Sequence, residues 1–159
     1  MDINKIKLIA YDFDGVMTDN HVFVNQDGRE MVKVNRADGL GVEEIKKLDI
    51  EQIIISSETN LVVSTRAKKL GIQCLQGIKN KKTALIDYCN RHNYDLQNVT
   101  YIGNDINDKE VLEIAGLTFC PADADESIKE ISDHVLSTKG GNGVVRELYD
   151  IIAKREGNI

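Results

Sequence analysis

Proline occurs once, tryptophan not at all and cysteine three times in 159 residues, and there is no excess of positive charge, with 20 Lys and Arg against 26 Asp and Glu. Each shortage excludes something. So little proline rules out a collagen-like or proline-rich extended chain. A net charge of −6 gives no general attraction to nucleic acid or anionic lipid, so an anionic ligand must be met by a local group of cations. Cys74, Cys89 and Cys120 are odd in number, lack CxxC spacing and lie in or beside apolar runs, the pattern of buried free thiols in a reducing compartment. His21, His92 and His134 are scattered without ligand spacing, which argues against zinc. No apolar run approaches the roughly 18 to 20 residues that span a bilayer. Met1 to Ala10 carries neither a basic leader with a long apolar stretch nor a small-residue cleavage site. The expectation is a cytoplasmic protein with neither membrane nor nucleic acid as partner.

What is present is a chain 42% hydrophobic and 29% charged, long enough for one core and too short for two ordinary domains, so residues 1–159 are read as a single domain. Short apolar, β-branched runs recur at Ile6 to Tyr11, Gln52 to Ser56, Ile72 to Leu75, Val99 to Gly103 and Leu117 to Cys120. Helical spacing lies between them: Leu40, Val42, Ile45 and Leu48; then Leu61, Val62, Thr65 and Leu70; then Ala84, Leu85 and Tyr88. Asp38, Asn60 and Asn80 are the predicted N-caps. Runs apolar on both sides predict parallel strands covered by helices on each face, an α/β doubly wound, Rossmann-like sheet. Residues 21–35 differ, because Val22 and Val24, then Met31, Val32 and Val34, flank the turn Asn25-Gln26-Asp27-Gly28. That segment reads as a small β-hairpin protruding from the sheet. Residues 154–159 read as a flexible tail.

Chemistry concentrates where the runs end. Asp12 and Asp14 stand two positions apart where an apolar strand meets Gly15, and ligands of an open parallel sheet bind beyond the carboxyl ends of its strands. Two like charges this close repel unless a cation or proton intervenes, so a hard divalent metal, magnesium above all, is implied. The plain alternative is a turn-forming Asp beside a helix-capping one. By themselves Ser56 is a turn residue, Lys81 a solvated lysine at a helix start, Arg66, Lys68 and Lys69 a solvated face, and Gly140 to Gly143 a flexible turn.

Asp12-Phe13-Asp14-Gly15-Val16-Met17-Thr18 resembles the first motif of the haloacid dehalogenase (HAD) superfamily of phosphotransferases, and Ser56, Lys81 and Gly103-Asn104-Asp105-Ile106-Asn107-Asp108 match its later motifs in order. The resemblance implies Asp12 as nucleophile, forming an aspartyl-phosphate, and Asp14 as general acid and base, with Thr18 ordering the loop. Ser56 and Lys81 would then bind the phosphoryl oxygens. It also implies Mg2+ held by Asp12, Asp14 and the fourth motif, where relatives carry two adjacent acids and this chain has Asn104 and Asp105. Either of the two could make the direct bond.

The gaps between motifs leave no room for a cap domain. Over almost its whole length the chain is similar to capless, tetrameric phosphatases of 3-deoxy-octulosonate 8-phosphate and nonulosonate 9-phosphates, on the hairpin, Asn35 to Gly39, Arg66 to Gly71, Gln76-Gly77 and Gly140 to Glu147. Octulosonate enzymes tend to carry Thr-Gly-Arg where this chain has Ser56-Ser57-Glu58, which favours a nine-carbon (sialic acid or KDN) 9-phosphate. The resemblance places Asn35, Ser57, Glu58, Arg66 and Lys69 around the sugar acid, Arg66 and Lys69 reaching a neighbour's site, and implies a homotetramer. Two alternatives stand: the octulosonate 8-phosphate substrate, and a non-catalytic oligomerisation module associated with sialic acid activation.

Overall fold

The computed structural model describes residues 5–155. The tail prediction at 156–159 lies outside them, whereas Lys154 and Arg155 are helical and not frayed. Six parallel strands form one sheet in the order β5-β4-β1-β6-β7-β8: β1 (Leu8–Tyr11), β4 (Glu51–Ile55), β5 (Gln73–Leu75), β6 (Val99–Ile102), β7 (Leu117–Cys120) and β8 (His134–Val135). β2 (Thr18–Val24) and β3 (Glu30–Val34) pair separately as an antiparallel hairpin. The helices are α1 (Arg36–Lys46), α2 (Val62–Leu70), α3 (Lys81–His92), α4 (Lys109–Leu112), α5 (Glu126–Ile131) and α6 (Val144–Arg155).

Strand periodicity divides the core in two. Ile9 and Tyr11 point to one face, where Val42, Ile45, Val63, Ala67, Leu148 and Ile152 from α1, α2 and α6 cover them. Leu8 and Ala10 point to the other, against Leu85 and Tyr88 of α3, Val111 of α4 and Ile128 of α5. Every residue of β1, β6 and β7 is buried, as strands covered on both sides require. The chain leaves β1 toward β4 and β5, then crosses back to lay β6 on β1's other edge. Strand order therefore reverses between β1 and β6, and a crevice opens beyond their carboxyl ends.

Several local expectations are corrected. Asn35, not Asp38, caps α1, accepting from Ala37 N at 2.8 Å. Asp38 is buried in the first turn and instead accepts from Val145 N at 2.8 Å, 107 residues away, so it caps the start of α6. Leu40 and Leu61 are exposed, because the buried stripes run through Asp38, Gly41, Val42 and Ile45 in α1 and through Val63, Ala67 and Leu70 in α2. Asn80 caps α3 as expected, accepting from Thr83 N at 2.8 Å, but the N-cap of α2 is Leu61, with no side-chain cap, and Asn60 just before it accepts from Val62 N at 3.1 Å. The hairpin begins three residues early, at Thr18, because Thr18 pairs with Val34 before a register shift that ends at Val22. β8, two residues long, has no signal of its own.

Gly140 and Gly141 lie against the loop that follows β1. Gly141 N donates to Val16 O at 3.0 Å, and a Cβ on Gly140 would collide with the carbonyl of Gly15. The glycine-rich segment thus supports the loop after β1 within the same chain.

Candidate active site

β1 ends on Tyr11, and the ladder to β6 continues one residue further, with Asp12 N donating to Ile102 O at 2.9 Å. That fixes the backbone of Asp12 at the crevice. Its Oδ1 accepts from Phe13 N at 2.7 Å and lies 2.8 Å from Lys81 Nζ. Lys81 opens α3 behind Asn80, and its ammonium also reaches Asp108 Oδ1 at 2.7 Å. All three side chains are buried. Burial and then the charge of Asp108 push the Asp12 carboxyl up, against the pull of Lys81. Burial works against the charge of Lys81, but Asp12 and Asp108 outweigh it and hold the ammonium protonated.

Asp108 is the residue that reading the motifs overlooks. It is fully buried and accepts four donors: Lys81 Nζ and Tyr101 OH (2.8 Å) on Oδ1, Asn104 N (2.9 Å) and Asp105 N (3.4 Å) on Oδ2. One carboxylate thus ties α3, β6 and the turn after β6 together. The available signal was the acid at the fourth position after Asn104, where a tight turn folds a side chain back onto its own start.

Asp14 is half-buried, and its carboxyl is raised by that burial and then by Glu58. Thr18 Oγ1 donates to Asp14 Oδ1 at 3.4 Å and accepts from Gly15 N and Asn20 N, both at 3.2 Å, which orders the loop. Gly15 has φ +83°, and a side chain there would run into Asn104. Asp12, Asp14, Ser56, Ser57, Asn104 and Asp105 line a cavity of about 90 Å³. Asp14 also borders a chamber of about 270 Å³ that includes His21, Glu30 and Glu58.

The remaining predicted residues fall as follows. Ser56 Oγ accepts from Glu58 N at 3.1 Å. Glu58 Oε1 accepts from Thr59 N (2.6 Å) and Asn60 N (2.8 Å), so one oxygen braces the approach to α2. The side-chain oxygen of Asn35 is committed to α1, while its carbonyl accepts from Arg66 Nη2 at 2.9 Å. Arg66 and Lys69 line a different cavity, of about 400 Å³, between the hairpin and α2, and do not border the Asp12 cavity. Asp105 Oδ1 accepts from Ile106 N at 2.7 Å and caps the turn.

The Asn104 side chain is buried, with one end facing Asp12 Oδ2 and the Asp14 carbonyl. With nitrogen turned inward it donates to those oxygens at 3.2 and 2.8 Å. With oxygen inward, three oxygens converge with no hydrogen among them, an arrangement that a hard cation satisfies. Among the described residues no trio of His, Cys, Asp or Glu side chains makes a metal cluster. The donor set here is one carboxylate, one amide and one backbone carbonyl, all oxygen, and it fits Mg2+.

A family model for haloacid dehalogenase-like hydrolases matches residues 3–148. The 3-deoxy-D-manno-octulosonate 8-phosphate phosphatase KdsC of Haemophilus influenzae is 32% identical over 156 residues, 98% of this chain and 87% of that one. KdsC of Escherichia coli K12 is 34% identical, covering 97% of this chain and 82% of that one. Among solved structures, the octulosonate 8-phosphate phosphatase of Moraxella catarrhalis, in complex with magnesium ion, phosphate ion and a KDO molecule, superposes with a TM-score of 0.94 at 34% identity, covering 98% and 90% of the two chains. The chain belongs to the haloacid dehalogenase-like hydrolases and is a phosphatase.

Proposed function

We propose that this chain is a Mg2+-dependent phosphomonoesterase that hydrolyses a phosphorylated 2-keto-3-deoxy sugar acid through an aspartyl-phosphate on Asp12. The observation that carries the reading is the convergence of Asp12, Asp14, Ser56 and Asn104 on one small cavity with the buried Lys81 ammonium 2.8 Å from Asp12. Asp12 and Asn104 side chains and the Asp14 carbonyl would hold the metal, which when bound supplies positive charge to the phosphoryl oxygens and to Asp12.

The Asp12 carboxylate attacks phosphorus, and the P–O bond to the sugar breaks as the new one forms. Asp14, whose carboxyl burial and then Glu58 raise above its ordinary value, gives its proton to the departing sugar oxygen. The resulting carboxylate then takes a proton from the water that opens the aspartyl-phosphate. Lys81 has three N–H groups. Two are spent on Asp12 and Asp108, leaving the third for a phosphoryl oxygen beside Ser56 Oγ.

Glu58 supports a nine-carbon substrate such as a sialic acid or KDN 9-phosphate. It borders the chamber beside Asp14, and one of its oxygens is not bound to the α2 approach. The eight-carbon reading is supported by the relatives, whose names specify octulosonate 8-phosphate. Exposed Val22, Phe23, Val24 and Met31 on the hairpin support assembly into a homotetramer. Arg66 and Lys69, outside the Asp12 cavity, would then serve a neighbour's substrate carboxylate. No helix among the described residues is long and apolar enough to cross a membrane, and the three free cysteines support a reducing, cytoplasmic setting.

Phosphate release from eight- and nine-carbon sugar-acid phosphates, with and without Mg2+, tests this. Activity on one or both that requires Mg2+ supports the proposal, and release from generic esters alone overturns the substrate class. Glu58→Arg should cut the nine-carbon preference by about ten- to a hundredfold in kcat/KM, the worth of one charge-assisted hydrogen bond. Equal losses on both substrates would leave Glu58 a bracing residue only.

A further inference from the structure

Beyond the residues of the motifs, we infer that Tyr101 is a positioning residue for Lys81, acting through Asp108. The inference rests on the role proposed for Lys81.

Tyr101 sits in the middle of β6, fully buried, its register fixed against Ala10 of β1 and Thr118 of β7. Its hydroxyl donates to Asp108 Oδ1 at 2.8 Å, the same oxygen that takes Lys81 at 2.7 Å. Burial and Asp108 keep that hydroxyl protonated, so it is a permanent donor. Asp108 thereby has two arms. Oδ2 holds the backbone of Asn104 and Asp105, on the metal side. Oδ1 holds the lysine, and Tyr101 acts on that arm.

Two consequences follow from the shared oxygen. An acceptor that already receives a hydroxyl has less charge to offer, so Lys81 is less tightly drawn to Asp108 and keeps its reach toward Asp12 and the phosphoryl oxygen. The rigid strand also fixes Oδ1 in space, and with it the pivot about which the flexible lysine chain is aimed. Without the hydroxyl, Oδ1 loses the partner that fixes it and the ammonium is aimed less accurately, while Oδ2 stays held by the two backbone amides.

The test is a double-mutant cycle with Tyr101→Phe and Lys81→Met, read in kcat, KM and the Mg2+ dissociation constant from calorimetry. Tyr101→Phe alone should lower kcat roughly tenfold, the scale of one hydrogen bond to a charged group. KM and the Mg2+ constant should stay within about twofold, because the metal arm of Asp108 is untouched. In the Lys81→Met background the same change should add no further loss. 4-Aminophenylalanine at position 101 restores a donor of the same size and should recover kcat, which keeps the test open if the Phe variant folds poorly. An unchanged kcat in Tyr101→Phe, a full tenfold further loss on top of Lys81→Met, or a Mg2+ constant that shifts as much as kcat would overturn the inference.

Discussion

Two carboxylates are buried in this chain to the same depth and under opposite terms. Asp108, beneath the crevice, is 0% exposed and receives four donors, one of them the Lys81 ammonium. Asp38, between α1 and α6, is 1% exposed; its Oδ1 receives the start of α6, and its Oδ2 has no partner. Burial pushes the Asp38 carboxyl up to about 6, and Arg66 gives only weak relief. A charge buried with a matching charge is a device for aiming a cation, and removing one partner strands the other. A charge buried against a helix start only caps that helix, and a neutral acceptor of the same shape can do so as well.

The largest effect expected from this difference is at Lys81. Lys81→Met leaves Asp12 and Asp108 buried without their cation, and should cost about 3 to 5 kcal/mol of stability as well as at least a thousandfold in kcat. Denaturant unfolding beside steady-state kinetics checks both. A fully stable variant would show that the cluster is held by its neutral donors alone.

Asp38→Asn should do the reverse. A carboxyl raised from 3.8 to about 6 contributes stability below its ordinary value that is lost as pH rises through about 6. Asn stays neutral, so the variant should gain up to about 3 kcal/mol at pH 8, and the gain should vanish below about pH 4. Unfolding measured across that range reads it directly. A loss at every pH would mean that the charge itself is needed to cap α6.

Asn104→Asp sharpens the contrast within the crevice. It adds a carboxylate facing Asp12 Oδ2 and the Asp14 carbonyl, so the metal-free protein should melt lower while Mg2+ binds on the order of tenfold tighter. Calorimetry and melting curves with and without Mg2+ separate the two effects. Unchanged Mg2+ affinity would move the direct metal bond away from Asn104.

The same comparison shows what could be read in the sequence and what could not. Strands β1, β6 and β7 are legible because a strand covered on both faces is apolar along its length, and β4 and β5 through the shorter apolar runs that end them. The hairpin showed through its turn residues, and the family through motifs that recur in order at strand ends. Asp38 reads as a cap of α1 because its partner, Val145, lies 107 residues away and leaves no local pattern. Leu40 and Leu61 fit the helical spacing yet face solvent, because the buried stripe of α1 admits Asp38 and Gly41 and that of α2 begins at Val63. Tyr101 looked like another core residue of a strand. Its hydroxyl acquires a role only when the turn after β6 carries Asp108 back over it, and that closure is a tertiary event.

Catalysis through Asp12 requires that its carboxylate become covalently phosphorylated. Borohydride added during turnover reduces an aspartyl-phosphate to homoserine, which mass spectrometry of the digested protein locates. Homoserine is expected at position 12, dependent on both substrate and Mg2+, and none in Asp12→Asn, which should also release no phosphate while keeping its fold. Homoserine at another position, or phosphate release by Asp12→Asn within tenfold of the parent, would contradict it.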